Sequence, residues 1–410
     1  MCGDGHLMSK GGMQCNHGTS LKTQGLSTPL RSARDDRCLL VRCDASVRIG
    51  TGHAMRCVAL AQAWQDAGGD VAFAMAKSTK AVTQRIVGER IEFVQLSQEP
   101  DSQVPGSQEI GSQMPGSREP GNRADADRTI ELAREHRAQW VVVDGYVFKA
   151  EYLDRLHDAG LKLLVVDDDG RAERYHAEIV LNQNPQATEG LYLRREPSTR
   201  MLLGPEYVLL RREFAAWRDW ERKSQAPERK VLVTMGGSDP ENVTPKVIAA
   251  VMAASEFEIR VVVGGSNPHV VQLREVCGKS SGNLRLIHDP GNMAELMAWA
   301  DVAISAAGTA AWEMAFMGLP VLLVVLAENQ QPIANALVDA GAALSLGPAN
   351  ALDAQDISHK LRGLTSSLEA LEKMSACGRA LIDGRGAERV VAAMFGTDFK
   401  TMPLLAFRET

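Results

Sequence analysis

The sequence predicts an α/β protein made of two doubly wound domains that face a substrate cleft. Short apolar runs, rich in β-branched residues and leucine, alternate along the chain with amphipathic helical stretches. This alternation indicates right-handed βαβ units, and therefore parallel sheets with helices on both faces. The pattern stops in the charged stretch RREFAAWRDWERKSQAPERK and restarts near Lys230. Because 410 residues are too many for one ordinary core, we expect a domain boundary at that stretch.

The strands are predicted from apolar runs, because parallel strands that are covered on both faces do not alternate with polar residues. In the first half the runs are CLLVRC, DVAFAMA, WVVVDGY, KLLVVDD and EIVLNQ, and in the second half KVLVTMGG, EIRVVVGG, LRLIHD, DVAISAAG and LPVLLVVLA. Ligands of such sheets bind at the carboxyl ends of the strands, where loops lead into helices. We therefore look for a site in the loops after these runs.

The domain boundaries follow from where the alternation begins and ends. The polar leader, residues 1–36, lacks the apolar run of a signal peptide and is predicted to be disordered. The other parts are an N-terminal domain at 37–215, a linker at 216–229, a C-terminal domain at 230–395 and a tail at 396–410. Within the first domain, serine and proline recur at five-residue spacing, which blocks helix and central strand. Residues 97–121 are therefore predicted to be a solvated low-complexity loop.

The composition excludes several classes of protein. A net charge of −6 and a pI near 5.9 argue against a nucleic-acid-binding protein, which normally carries a basic face. No apolar stretch approaches the ~20 residues of a membrane span. The seven cysteines form no CxxC pair and no metal-binding spacing with histidine, as is usual in the reducing cytoplasm. We therefore expect a cytoplasmic protein without a membrane span or a nucleic-acid partner.

The first candidate site is the turn DASVRIGTGHAMR, which joins the first strand to a helix. Gly50 and Gly52 admit positive φ and leave room for a ligand beside the backbone. Thr51, between the two glycines, is a further candidate for binding. The helix that begins near His53 offers unpaired N–H groups that favour a phosphate or a developing oxyanion. The turn is neither a P-loop nor a complete GxGxxG fingerprint. His53 stands at this exposed turn, and we favour a functional over a structural role for it.

Two further glycine-rich turns lie in the second half. In VTMGGSDPENVTP, Gly236 and Gly237 either face a ligand phosphate across the cleft or only form a well-capped turn. In ISAAGTAAWEMAFMGLPVLLVVLAENQ, a helix starts at Thr309, and Glu313 follows one turn later on the same face. Its carboxylate either binds a ribose diol or is a surface glutamate that suits the helix dipole. The other candidates of this stretch are Ser305, Gly308, Asn329 and Gln330.

These motifs together resemble a known family. The runs DASVRIGTGHAMRC, VVDGY, VVDDDGRAERYHAEIVLNQNP, LLGPEYVLLRREF, TMGGSDPENVT and SAAGTAAWEMAFMGLP are similar to those of the UDP-2,4-diacetamido-2,4,6-trideoxy-β-L-altropyranose hydrolases of pseudaminic acid biosynthesis. The resemblance covers about residues 38–390. Its N-terminal motif is specific, whereas the C-terminal motif is shared with glycosyltransferases of the GT-B fold. The resemblance implies a GT-B-like fold with two Rossmann-type domains.

The resemblance also implies roles for the candidate residues. The ligand would be a UDP-sugar, with His53 as catalytic base and Tyr146 near the sugar. UDP would be held mainly by the C-terminal domain, through the backbone at Asn292 and Met293 at the uracil edge, Glu313 at the ribose, and Ser305, Gly308 and Thr309 at the diphosphate.

The carboxylates near the first turn leave alternatives open. Asp44, near the end of the first strand, orients His53, binds sugar hydroxyls, or only caps the turn. Asp167, Asp168 and Asp169 look like metal ligands, but consecutive residues at a strand end point in alternate directions. We therefore expect no obligatory metal and no other cofactor.

The implied reaction is hydrolysis of the UDP-sugar to free sugar and UDP. UDP is a good leaving group, because its terminal phosphate has a pKa of roughly 6, and helix N-termini suffice to stabilise its charge. The attacking water needs a base, and a histidine, with an ordinary pKa of ~6.5, fits that task. Attack opposite UDP would invert the anomeric centre. The alternatives are a GT-B glycosyltransferase with an acceptor other than water and a sugar-nucleotide-binding protein without turnover.

Overall fold

The computed structural model describes residues 37–96, 120–223, 230–253, 257–279 and 282–397. The predicted leader and most of the low-complexity loop and the tail lie outside the described residues. Within the described ranges, no helix has the length and the apolar character needed to cross a membrane.

The N-terminal domain is a 7-stranded parallel sheet in the order β3-β2-β1-β4-β5-β6-β7. Its strands are β1 Cys38–Cys43, β2 Asp70–Met75, β3 Glu92–Gln95, β4 Ala138–Asp144, β5 Leu163–Val166, β6 Ile179–Asn182 and β7 Arg200–Leu203. Its helices are α1 Gly52–Asp66, α2 Lys80–Gly88, α3 Arg123–Glu135 and α4 Ala150–Asp158, followed by 3-10 turns at Glu189–Tyr192, Pro205–Tyr207 and Arg212–Trp217. The strand order reverses between β1 and β4, where doubly wound sheets bind their ligands.

The C-terminal domain repeats this plan in a 6-stranded parallel sheet, in the order β10-β9-β8-β11-β12-β13. Its strands are β8 Lys230–Thr234, β9 Glu258–Val263, β10 Leu284–His288, β11 Val302–Ala306, β12 Val321–Val325 and β13 Ala343–Pro348. The helices are α5 Thr244–Met252, α6 Val270–Gly278, α7 Met293–Trp299, α8 Thr309–Phe316, α9 Gln331–Asp339, α10 Ala354–Thr365, α11 Leu368–Leu381 and α12 Gly386–Met394, with 3-10 turns at Glu328–Gln330 and Ala349–Ala351. The reversal lies between β8 and β11, so the predicted fold class is confirmed.

The central strands coincide with the apolar runs because they are buried on both faces. In β1, Leu39 and Val41 belong to one core cluster, and Leu40 belongs to the cluster on the opposite face. The strands that the sequence analysis did not name, β3, β7 and β13, all lie at sheet edges. Their residues are mostly exposed or half-buried, so these strands lack the continuous apolar run that marked the others.

The last helix belongs to the first domain. α12 packs against α1, and Val390 and Val391 lie in the same core cluster as Trp64 of α1. Phe395, just after α12, stacks on Trp64 with the ring centroids 4.8 Å apart. The prediction that residues 230–395 form the second domain therefore needs correction at its carboxyl end. The sequence of an amphipathic helix shows that one face is buried, but it does not show which of two domains that face packs against.

We expect Val390→Ala to destabilise the N-terminal domain by roughly 2 kcal/mol, because it removes buried methyl groups and leaves a cavity. Amide hydrogen exchange should accelerate in β1 and β2 and stay unchanged in β8 and β11. Glu372→Ala, at an exposed position of α11, is the control and should change neither sheet. Equal acceleration in both sheets, or in neither, would contradict the assignment of α12 to the first core.

Candidate active site

The carboxyl ends of both sheets open onto one cleft with a volume of about 560 Å³, which is within the usual range for small-molecule sites. The wall includes the turn after β1, the segment after β4, the glycine turn after β8 and the N-terminus of α8. The predicted site residues on this wall are Gly50, Thr51, Gly52, His53, Tyr146, Gly236, Gly237, Met293, Gly308, Thr309, Glu313, Asn329 and Gln330. All three glycine-rich turns therefore reach the cleft.

The two domains approach each other closely at these turns. A Cβ on Gly237 would lie 1.9 Å from Thr51 Oγ1, and a Cβ on Gly52 would lie 3.0 Å from Thr309 Oγ1. The N-terminus of α1 therefore lies beside that of α8 across the cleft. Each helix end presents N–H groups without partners in its own helix, and their dipoles favour an anion.

The first turn delivers His53 into the first helical turn of α1. Gly50, with φ of 85°, donates its N–H to the Ser46 carbonyl at 2.8 Å and so closes the turn. His53 is only 8% exposed, so the expectation of an exposed histidine is wrong, although the side chain lies on the cleft wall. A buried imidazole needs hydrogen-bond partners.

The partner of His53 is Asp144, the last residue of β4. The His53 Nδ1 atom lies 2.7 Å from Asp144 Oδ1. Burial alone would raise the pKa of the Asp144 carboxyl, but the charges of Arg56 and His53 outweigh burial and hold this pKa well below its usual range. An ionised carboxylate only accepts hydrogen bonds, and an Nδ1 lone pair facing it at this distance would be repelled. Arg56 Nη2 also lies 3.0 Å from Nδ1, but the shorter contact to the anionic carboxylate favours a neutral His53 with its proton on Nδ1 and the Nε2 lone pair free.

Arg56 holds this carboxylate in place from the next turn of α1. Its Nε donates to Asp144 Oδ2 and its Nη2 to Asp144 Oδ1, both at 2.7 Å. Its Nη1 donates to both oxygens of Asp168, at 2.7 and 3.0 Å. Burial would lower the pKa of Arg56, yet Asp144 and Asp168 raise it well above the usual value. We call His53, Asp144, Arg56 and Asp168 the His53 network.

Asp168 links this network to the rest of the cleft. It accepts hydrogen bonds from Asn184 Nδ2 at 2.9 Å and from the Tyr146 hydroxyl at 3.3 Å. Burial disfavours its charge, but Arg56 overcomes this effect and lowers the pKa of Asp168. The neighbouring carboxylates have other partners: Asp167 accepts the N–H groups of Asp169 and Gly170, and Asp169 pairs with Arg171. The three consecutive aspartates therefore do not converge on one point.

The sequence analysis missed Asp144 and Arg56 as site residues, and it considered Asp168 only as a metal ligand. A usable signal was present. Asp144 ends a strand that was itself predicted, and Arg56 follows His53 by three residues, which places both side chains on one helix face. What the sequence did not reveal is that β4 pairs directly with β1, which brings Asp144 to the His53 turn.

Asp44, for which orienting His53, binding sugar hydroxyls and capping the turn were open alternatives, makes no hydrogen bond to His53, and its carboxylate has partners within the protein. Its Oδ1 accepts the N–H groups of Ala76 and Lys77 at 2.8 Å each, and its Oδ2 accepts from Arg42 Nη2 at 3.0 Å. Arg42 is fully buried and also pairs with Asp125 at the start of α3. Asp44 thus links the end of β1 to the segment after β2 directly, and to α3 through Arg42.

Two further predicted residues of the C-terminal domain use their side chains within the protein, although the role predicted for Asn292 was that of its backbone. Ser305 is fully buried, and its hydroxyl donates to the Ala306 carbonyl at 3.0 Å. Asn292 caps α7, because its Oδ1 accepts the Glu295 N–H at 3.3 Å. Both residues lie at the ends of elements that border the cleft, which explains why their position in the sequence suggested contact.

Glu313 is buried and paired. Its Oε1 accepts from Arg211 Nε at 3.1 Å and from Arg211 Nη2 at 2.8 Å, and it is 5% exposed. The interpretation of Glu313 as a surface glutamate is therefore wrong. Burial raises the pKa of Glu313 even though Arg211 opposes this shift. Within the described chain no residue bonds to Oε2, and this oxygen remains available to a ligand.

The comparisons with known proteins agree with this architecture. Residues 230–389 match the sequence model of the glycosyltransferase family 28 C-terminal domain. The spore coat polysaccharide biosynthesis protein SpsG of Bacillus subtilis is 29% identical over 236 residues, which are 57% of this chain and 68% of that protein. The uncharacterized protein MJ1062 of Methanocaldococcus jannaschii is 24% identical over 70% of this chain, which spans only 55% of that protein's length.

Solved structures show the fold. MurG of Acinetobacter baumannii matches with a TM-score of 0.60 at 16% identity, over 88% of this chain and 99% of that chain. The UDP-GlcNAc 2-epimerase of Neisseria meningitidis, bound to UDP-GlcNAc, matches with a TM-score of 0.58 at 14% identity, over 88% of this chain and 100% of that chain. The chain is therefore a GT-B-like α/β protein, as the resemblance implied. Its C-terminal half is similar to the C-terminal domain of glycosyltransferase family 28.

Replacing Asp144 by asparagine should shift the tautomer of His53 away from the Nδ1-protonated form, because the anionic acceptor is lost. Ring ¹⁵N NMR at mildly alkaline pH, with the His53 signals assigned from His53→Gln, measures this shift. Asp44→Asn is the matched control, since it removes a buried carboxylate that makes no contact with His53. An unchanged His53 spectrum in Asp144→Asn, or a changed one in Asp44→Asn, would contradict the geometry.

Proposed function

We propose that this protein hydrolyses a UDP-linked 2,4-diacetamido-2,4,6-trideoxy hexose to free sugar and UDP, as in pseudaminic acid biosynthesis. The observation that carries the proposal is the contact of 2.7 Å between His53 Nδ1 and the Asp144 carboxylate on the wall of the cleft. This contact supports an imidazole that is protonated on Nδ1 and basic at Nε2, as the activation of a water molecule requires.

A nucleotide sugar is supported by the proteins that share the fold and by the chemistry of the cleft. The N. meningitidis epimerase binds UDP-GlcNAc, and SpsG serves polysaccharide biosynthesis. In this chain the N-termini of α1 and α8 approach each other where a Cβ on Gly52 would touch Thr309. Two converging helix dipoles suit a diphosphate, and they stabilise its growing negative charge without reorganising.

The UDP half would be held by the C-terminal domain. Glu313 Oε2 would accept hydrogen bonds from the ribose hydroxyls while Arg211 keeps Oε1 in place. Thr309 and Gly308 at the start of α8 would face the diphosphate, and Met293 at the start of α7 would lie at the uracil edge. These assignments follow from the resemblance and from the positions of the residues on the cleft wall.

The chemical step needs one base and no strong acid. Water attacks the anomeric carbon, a new C–O bond forms, and the bond from that carbon to the UDP oxygen breaks with its electron pair left on UDP. His53 Nε2 takes the proton of the water, and the Asp144 carboxylate stabilises the imidazolium that results. The proton then returns to solvent. Attack opposite UDP inverts the anomeric centre.

A glycosyltransferase with an acceptor other than water is the second candidate. The match of residues 230–389 to a glycosyltransferase domain favours it. The same base and the same leaving group would serve both reactions, so the nature of the acceptor distinguishes them.

The reaction is tested in ¹⁸O water with the UDP-linked 2,4-diacetamido-2,4,6-trideoxy sugar and no other acceptor. We expect free sugar with the label on its anomeric oxygen, together with unlabelled UDP, because water attacks carbon rather than phosphorus. NMR and mass spectrometry detect both products. Labelled UDP would contradict attack at carbon, and UDP binding without release of sugar would favour the transferase.

His53→Ala should lower kcat by roughly 10²–10⁴-fold, the usual contribution of a general base, and leave the Kd for UDP near its wild-type value. Glu313→Gln is the matched comparison and should do the reverse, weakening UDP binding more than kcat. Steady-state kinetics and titration calorimetry with UDP separate the two effects. Full activity in His53→Ala would exclude His53 as the base.

A further inference from the structure

A hydrogen bond crosses the cleft beside the His53 network. Asn329 Nδ2, in the 3-10 turn before α9, donates to the Tyr146 hydroxyl oxygen of the other domain at 2.9 Å. The same hydroxyl donates to Asp168 Oδ2 at 3.3 Å. One phenol oxygen therefore joins the His53 network to the opposite domain.

The Tyr146 ring is itself held against His53. The two rings meet edge to face, with centroids 4.9 Å apart and an interplanar angle of 85°, and the Arg171 guanidinium covers the Tyr146 ring at 4.4 Å. Burial, and then the charge of Asp168, raise the pKa of Tyr146 to about 12. The phenol thus keeps its proton at neutral pH, which lets it donate to Asp168 while it accepts from Asn329.

The turn that carries Asn329 also adjoins the start of α8. Gln330 Oε1 accepts the Leu326 N–H at 3.0 Å, and a Cβ on Gly308 would lie 3.8 Å from Gln330 Nε2. Gly308 immediately precedes α8, whose N-terminus is the proposed diphosphate site. A diphosphate bound at that helix end would therefore restrain the turn that positions Asn329.

We propose that the Tyr146–Asn329 hydrogen bond is a latch, by which the C-terminal domain, once it holds UDP, sets the position of the His53 base. Tyr146 is then a positioning residue. Its ring bounds the space beside His53. When Asn329 holds the Tyr146 hydroxyl, that hydroxyl also holds Asp168, and Asp168 positions Arg56 and thereby Asp144. The link to turnover rests on the proposed function, whereas the link between UDP binding and the Tyr146 segment does not.

Another cross-domain contact shows why this bond is distinct. Thr79 Oγ1 and Ser266 Oγ lie 2.6 Å apart, and neither residue contacts the His53 network. That contact joins the two domains, but no hydrogen bond connects it to His53 among the described residues. It also remains in variants that lose the Tyr146 hydroxyl, so these variants keep a cross-domain bond.

The kinetic test uses Tyr146→Phe, Asn329→Ala and the double variant, with Asn335→Ala as the control. Asn335 is an exposed amide of α9 that bonds only to Gln331 at 2.8 Å, and its loss should leave kcat unchanged. Each single variant should lower kcat by about tenfold, the factor expected for one hydrogen bond, and should raise the Kd for UDP by no more than the same factor, because a bond that UDP stabilises must also stabilise UDP binding. The double variant should be no slower than the slower single variant, because both changes remove the same bond.

A second measurement does not depend on turnover. In the wild type, UDP should slow amide hydrogen exchange in residues 144–148, which belong to the N-terminal domain, as well as around 289–293. In Asn329→Ala, UDP should still protect 289–293 but no longer 144–148. Three results would each overturn the latch. They are protection of both segments in Asn329→Ala, kcat losses that multiply in the double variant, and a loss of UDP affinity with unchanged kcat. If the wild type does not hydrolyse the UDP-sugar but UDP still slows exchange in residues 144–148, the proposed function is refuted and the latch is not.

Discussion

The buried pair of Arg56 and Asp144 is the constraint on which the site depends. Both side chains are almost fully buried, and breaking such a pair leaves an uncompensated charge at a cost of about 3–5 kcal/mol. The pair fixes α1 to β4 at the reversal of strand order, and His53 lies one helical turn before Arg56. The orientation of His53, the proposed base, thus depends on an interaction whose loss would strongly destabilise the fold. A catalytic imidazole held in this way needs little reorganisation during the reaction.

The repeated topology explains why the site needs both domains. Each sheet reverses its strand order at its centre, so each presents its own glycine turn and helix N-terminus at its carboxyl edge. The titratable groups of the His53 network all lie in the first domain, whereas Glu313 and the α8 terminus lie in the second. α12 returns to the first core, and the chain therefore crosses between the domains twice. The second crossing ties the end of the C-terminal domain to the helix that carries His53.

The fold was predictable because buried parallel strands have a compositional signal, and edge strands such as β3 and β13 have almost none. The glycine turns were predictable for the same reason, since they follow those strands. The pairing of side chains was not. Asp44 and Asp144 both end strands beside the His53 turn, and only the register of β1 with β4 decides that Asp144 reaches the imidazole. Glu313 was singled out from its position on α8, but its burial depends on Arg211, which lies in a segment just before the linker that has no periodic pattern.

Within the part of the chain that the structure describes, no protonated carboxyl group lies beside His53 to act as a general acid. This limits the kinds of glycosyl bond that the site could cleave. Asp144 and Asp168 both pair with Arg56, and their pKa values are lowered. Neither carboxyl therefore holds a proton at neutral pH to give to a leaving group. Glycosidases that cleave ordinary glycosides need such an acid, because an alkoxide is a poor leaving group. A base without an acid suits a sugar that is already linked to a diphosphate, whose departure requires only oriented dipoles. If His53 is the base, as proposed, the same network thus also favours an activated glycosyl donor over a simple glycoside.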